Sequence, residues 1–122
     1  FEDCLVLIEK SGIRWNKIVF HCFSEGISQV EKLMERGALA SFTGILTFRK
    51  NDNLRKAALR QGLENLMIET DSPYLAPEPI RGKINEPAFL KHLGQFASQL
   101  FEVPEDYLAE RTFERTCDFY GI

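Results

Sequence analysis

The sequence predicts an α/β fold in which about three parallel strands alternate with helices. Short β-branched or aromatic runs at 17–23, 39–43 and 66–70 read as strands, and amphipathic helical patterns lie between and after them. Glycines stand where those helices must stop. An alternation of strand and helix returns the chain to the same side before each new strand, so the pairing is parallel.

Phe1, Cys4, Leu5 and Ile8 fall on one helical face, and Gly12 suits the left-handed stop. No capping residue precedes Phe1, so an upstream portion of the chain is expected. Lys17 to Phe23 follows as the first strand. Ser28-Gln29-Val30-Glu31 has the S-x-x-E form of a capping box, in which hydroxyl and carboxylate satisfy orphan amides at a helix start. That helix turns Val30, Leu33 and Met34 inward and ends at Gly37. Leu39 to Thr43 is the second strand, closed by Gly44, and Ile45 to Phe48 extends it after a bend or lines the loop above it.

Asn51, Asp52 and Asn53 offer an N-cap to a helix whose buried stripe is Leu54, Ala57, Ala58 and Leu59, stopped by Gly62. Leu66 to Thr70 is the third strand. It is continuous enough in apolar residues to need cover on both faces. Pro73, Pro77 and Pro79 prevent its continuation. Asn85-Glu86-Pro87 combines a cap, an acid and a proline at a helix start, and Phe89, Leu90, Leu93, Phe96, Ala97 and Leu100 mark the amphipathic helix itself. Val103 and Pro104 open a last helical region through Tyr120, with a break expected near Thr112. Three such strands do not close a barrel, and their two outer edges call for cover by another segment, a partner or a second copy.

The 122 residues are 44% hydrophobic, which fits one globular domain. A net charge of −3 gives no overall basic footprint, so any contact with nucleic acid must be local. Cys4, Cys22 and Cys117 form no C-x-x-C pair and fit a reducing compartment; Cys22 reads as a small buried group. No apolar stretch reaches bilayer-spanning length, and no leader stands at Phe1. The expectation is a soluble cytoplasmic protein without a membrane partner.

Two acids end the third strand. Alternation sends Glu69 and Asp71 to one side, where two carboxylates repel unless a cation or proton separates them. Parallel strands deliver their carboxyl ends to a common rim, so His21, at the end of the first strand, can meet Asp71 there. An imidazole and carboxylates at one rim suit a divalent metal. Taken singly, a half-buried strand histidine or a turn-capping aspartate is the commoner explanation. Arg81 and Lys83 lie in the loop before a helix start, where they could converge on a phosphate or form a solvated basic turn. Arg49 and Lys50 are a weaker basic spot, and His92 sits beside an apolar stripe as a structural or exposed residue. No Gly-rich phosphate loop, G-x-S-x-G turn or zinc-finger spacing occurs, so metal-assisted hydrolysis is the enzyme class best matched.

His21-Cys22-Phe23-Ser24, Ser41-Phe42-Thr43-Gly44, Glu69-Thr70-Asp71-Ser72-Pro73-Tyr74-Leu75-Ala76-Pro77, Arg81-Gly82-Lys83 and Asn85-Glu86-Pro87 together resemble the TatD family of metal-dependent deoxyribonucleases. Glu25 stands where that family commonly has glycine, and Arg115 where asparagine is common. The resemblance implies a TIM (β/α)8 barrel with divalent ions (Mg, Mn or Zn) at its rim, hydrolysing phosphodiester bonds in DNA. It implies His21 and Asp71 as metal ligands and Asp71 as the catalytic carboxylate. Residues 1–122 would be the carboxyl-terminal half of such a barrel, a partial barrel lacking its amino-terminal half and poorly active alone. Arg81 and Lys83 then become contacts for the substrate phosphate, with Glu69 behind the ligands, tuning Asp71. Two other readings remain open. One is a noncatalytic half-barrel that pairs with a second copy or a complementing amino-terminal half, and the other is an amide or ester hydrolase on a related barrel.

Overall fold

A computed structural model describes residues 1–122. Helix α1 (Glu2–Ser11) leads to β1 (Val19–Phe20), α2 (Ile27–Arg36), β2 (Leu39–Phe42), α3 (Asp52–Gln61), β3 (Met67–Ile68), α4 (Leu90–Leu100) and α5 (Glu105–Tyr120). The three strands form one parallel sheet in the order β1-β2-β3, with Val19 opposite Leu39 and Phe42 opposite Ile68. β1 and β3 each pair on one side only, so the sheet is an open arc.

The strands are shorter than the apolar runs that encode them, but their hydrogen bonds reach further. Leu39 N donates to Ile18 O at 3.1 Å, Phe23 N to Ser41 O at 3.0 Å and Glu69 N to Phe42 O at 2.9 Å. Between the bonds of Phe20 and Phe23 the chain leaves the ladder at His21-Cys22, and this detour is what shortens β1.

Strand alternation divides the sheet into two faces. Ala40, Phe42 and Leu66, with the partly buried Ile18, Phe20 and Ile68, pack against Val30, Leu33, Leu54, Ala57, Leu93, Ala97 and Leu108 of the helices. Each large side chain so buried stabilises the fold by about 1.5–3 kcal/mol. The opposite face carries Val19, Leu39, Ser41 and Met67.

One buried amide completes the sheet. β3 pairs with β2 only from Ser41 onward, which leaves the preceding residue of β2 short of a neighbour. Gln61 takes that place: its Oε1 accepts from Ala40 N at 2.8 Å, and its Nε2 donates to Ala40 O at 2.9 Å and to Asn65 O at 2.8 Å. Arg55 secures the loop before α3, donating to the carbonyls of Leu46, Phe48 and Arg49 and to Asp52. The last contact holds the Asp52 carboxyl below its ordinary range.

Several local expectations are corrected. α2 begins at Ile27 after Gly26 with no side-chain cap, so Ser28 forms no capping box. Cys4 and Leu59 are exposed, and Met34 is only half-buried. α5 runs unbroken through Thr112, whose hydroxyl turns back to the carbonyls of Leu108 and Ala109 instead of interrupting the helix. A cavity of about 740 Å³ opens between α4, α5 and Ile68 of β3. No helix is long and apolar enough to cross a membrane.

Candidate metal centre

His21 leaves the end of β1, while Glu69 and Asp71 leave the end of β3, and β2 lies between them. Neighbouring strands are about 4.8 Å apart, so groups from β1 and β3 meet only if both chain ends turn inward over β2. They do so through two non-glycine residues in the left-handed region, Cys22 (φ 48°) and Asp71 (φ 54°). Such backbone costs on the order of 1–3 kcal/mol per residue and persists where surrounding bonds enforce it.

Those bonds are visible. Glu69 Oε1 accepts the Cys22 amide at 2.5 Å, tying the left-handed turn of the first strand to the end of the third. His21 Nδ1 lies 3.9 Å from Glu69 Oε1 and 3.9 Å from Asp71 Oδ1. One donor atom from each of His21, Glu69 and Asp71 falls within 4.8 Å of the others. The His21 side chain is 74% exposed, against 27% for Glu69 and 32% for Asp71, so the imidazole stands at the mouth and the carboxylates beneath it.

The donor chemistry fits a divalent ion. Donor atoms bound to one ion at about 2.0–2.2 Å lie roughly 3–4 Å apart, which is the spacing of the imidazole from both carboxylates. Neither carboxylate is paired with a lysine or arginine. Ser72 Oγ, next in sequence to Asp71, is buried without a partner. Cys22 is half-exposed at this rim, not buried as the sequence suggested. Burial pushes its thiol pKa up, as do a hydrogen bond that the thiol donates to Asp71 and the charges of Asp71 and Glu69, against an opposing bond with Thr43.

The loop after Asp71 is held by Asn85, a residue whose place before Glu86-Pro87 suggests a helix cap. Asn85 is buried, its Nδ2 donates to Thr70 O and Tyr74 O at 2.8 Å each, and its own amide donates to Pro73 O at 3.0 Å. Thr47 gives a second fastening, its Oγ1 accepting from Glu78 N at 2.8 Å. Asn85→Ala strips two carbonyls of their partner, but Tyr74 lies at the surface where water can replace one bond. The expected loss is about 2 kcal/mol, read as a lower urea midpoint with unchanged slope.

Arg81 and Lys83 are not in contact with the three converging residues. They line a shallow groove with Pro73, Tyr74 and Leu75 of the same loop, where the Arg81 guanidinium lies 4.1 Å from the centre of the Phe48 ring. His92 of α4 packs against Phe89, just before that helix.

A parallel βα arc with acids and an imidazole at its carboxyl rim places the chain among the α/β-barrel proteins. The model of the TatD-related DNase family matches residues 1–121, and the chain belongs to that family. It is 38% identical over 120 residues to the Escherichia coli K12 protein named uncharacterized metal-dependent hydrolase YcfH, covering 98% of this chain and 45% of that one. It is 32% identical over 121 residues to the uncharacterized metal-dependent hydrolase TatD of Mycobacterium tuberculosis, covering 99% and 46% respectively. The chain thus spans less than half the length of these relatives. The solved TatD homologue YJJV of Escherichia coli K12 superposes with a TM-score of 0.77 at 23% identity, over 85% of this chain and 40% of that one, a likeness of fold. The sheet and its helices are therefore part of a TIM (β/α)8 barrel.

Proposed function

We propose that this chain supplies part of a divalent-metal centre for hydrolysing phosphodiester bonds in DNA, as the carboxyl-terminal half of a cytoplasmic hydrolase barrel. The observation that carries this is the convergence of His21, Glu69 and Asp71 from two separated strands, with no cationic side chain between the carboxylates. His21 and Asp71 would hold the ion, be it Mg, Mn or Zn. When bound, such an ion acidifies water and polarises a phosphate. The Asp71 carboxylate would also take a proton from an attacking water. Glu69, engaged by the Cys22 amide, orients the turn that presents His21. Arg81 and Lys83 receive a phosphate of the DNA on the groove side of the loop.

A hydrolytic ion takes about three protein ligands plus water. His21 and Asp71 alone leave such a site short, so the 122-residue chain is expected to bind metal weakly and turn over DNA poorly. A complementing amino-terminal half or a second copy, seated on the open strand edges, would add the remaining donors. Calorimetric titration of the chain with Mn²⁺ tests the core of this reading. Asp71→Ala is expected to weaken binding by about 100-fold, and equal binding by wild type and variant overturns the assignment.

The relatives' names specify metal-dependent hydrolysis without a substrate, which keeps amide and ester bonds as the rival chemistry. Assaying the chain with a complementing half on oligonucleotides, amides and esters separates the two.

A further inference from the structure

The groove beside the Asp71 loop holds two features that the phosphate role does not use, the rings of Phe48 and Tyr74. It is an open groove of about 420 Å³ lined by both rings together with Pro73, Leu75, Arg81 and Lys83.

Tyr74 is 73% exposed, yet its backbone is not loose. Its amide donates to Asp71 O at 2.9 Å, and its carbonyl accepts from the buried Asn85 side chain at 2.8 Å. A rigid backbone therefore holds an aromatic ring in water, one turn from Asp71, with no aromatic neighbour stacked on it. The Phe48 ring is covered on one side by Arg81, whose guanidinium lies 4.0 Å from Glu78, at the outer limit of an ion pair. Stacking fixes the plane of that guanidinium and leaves donors free along its edge. A solvated basic turn would require neither a fixed tyrosine nor a stacked arginine.

We propose that this groove is a nucleotide subsite: a base stacks on the Tyr74 ring while its phosphate meets Arg81 and Lys83. The inference rests on the phosphodiester reading above and adds to it a contact with the base, through a face that every base possesses, so the subsite is tolerant of sequence.

Fluorescence anisotropy with the 122-residue chain in EDTA tests it, using labelled tetrathymidylate and an abasic tetranucleotide of the same charge. The thymidylate is expected to bind about tenfold more tightly, in line with a stacking energy of ~1–3 kcal/mol per base. Tyr74→Ala should remove that difference and Tyr74→Phe should keep it, both with the wild-type urea midpoint because the ring is exposed. Arg81→Ala and Lys83→Ala should weaken both oligomers alike and flatten the salt dependence. Equal affinity for the two oligomers, an unchanged preference in Tyr74→Ala, or no binding by wild type overturns the subsite. Because these titrations contain no metal, they fail or succeed separately from the Mn²⁺ titration: loss of metal binding with base preference intact overturns only the hydrolase reading.

Discussion

Gly44→Ala is expected to destabilise the fold by about 3 kcal/mol or more, at the upper end for overpacking, and to displace the loop that carries the groove. A Cβ built on Gly44 would stand 2.0 Å from Leu75 O, 2.8 Å from Pro77 N and 3.1 Å from Pro77 Cα. All three obstacles are backbone, so no side chain can rotate away to make room. The loop cannot yield cheaply either, because Asn85 fastens one end and Thr47 the other. Relief must come from moving Leu75 to Pro77 off the end of β2, which drags on Tyr74 and on the turn at Asp71. Urea denaturation measures the cost, and weaker Mn²⁺ binding in the fraction that remains folded reports the displacement. A variant as stable as wild type would show that the loop is not seated where the structure puts it.

Gln61→Ala is expected to cost about 4 kcal/mol, since an unsatisfied buried group costs ~1–3 kcal/mol and this change orphans both the amide and the carbonyl of Ala40. Ala40 is wholly buried at the centre of the sheet, where water cannot substitute for the lost amide. Asn65 loses a bond to its carbonyl as well, which loosens the turn feeding β3. Gln61→Glu should be nearly as harmful, because a carboxylate offers no donor to the two carbonyls. Loss of protection at the Ala40 amide in hydrogen exchange, together with the lowered urea midpoint, checks the mechanism; unchanged protection would refute it.

The parts of this fold that sequence makes legible are those encoded by residue type and period. The runs around Val19, Leu39 and Met67 announce strands, the stops at Gly12, Gly37 and Gly62 are where helices end, and the spacing of Glu69 and Asp71 foretells their approach to His21. What escapes is set by tertiary bonding. Asn85 in front of Glu86-Pro87 looks like a helix cap because local rules know nothing of the carbonyls of Thr70 and Tyr74 that it meets. Gln61, at the end of a helix, has no local mark of a strand substitute. Ser28 satisfies the capping pattern on paper, but the helix has already begun at Ile27. The detour at His21-Cys22 also lies beyond pattern reading, because a β-branched and aromatic run suggests no left-handed residue; only the carboxylate of Glu69 on another strand explains it.

Both free borders of the sheet run in the same direction, and they are unlike one another: one belongs to β1 and the other to β3. Two copies meeting by parallel addition would therefore join head to tail, and each union would regenerate the same two sticky ends. Pairing of this kind would run on as an open-ended polymer, steep in concentration, wherever the arc of the sheet does not bring a second copy round to close the barrel. Blocking a single border with a charged or proline substitution at β1 would then act as a chain terminator.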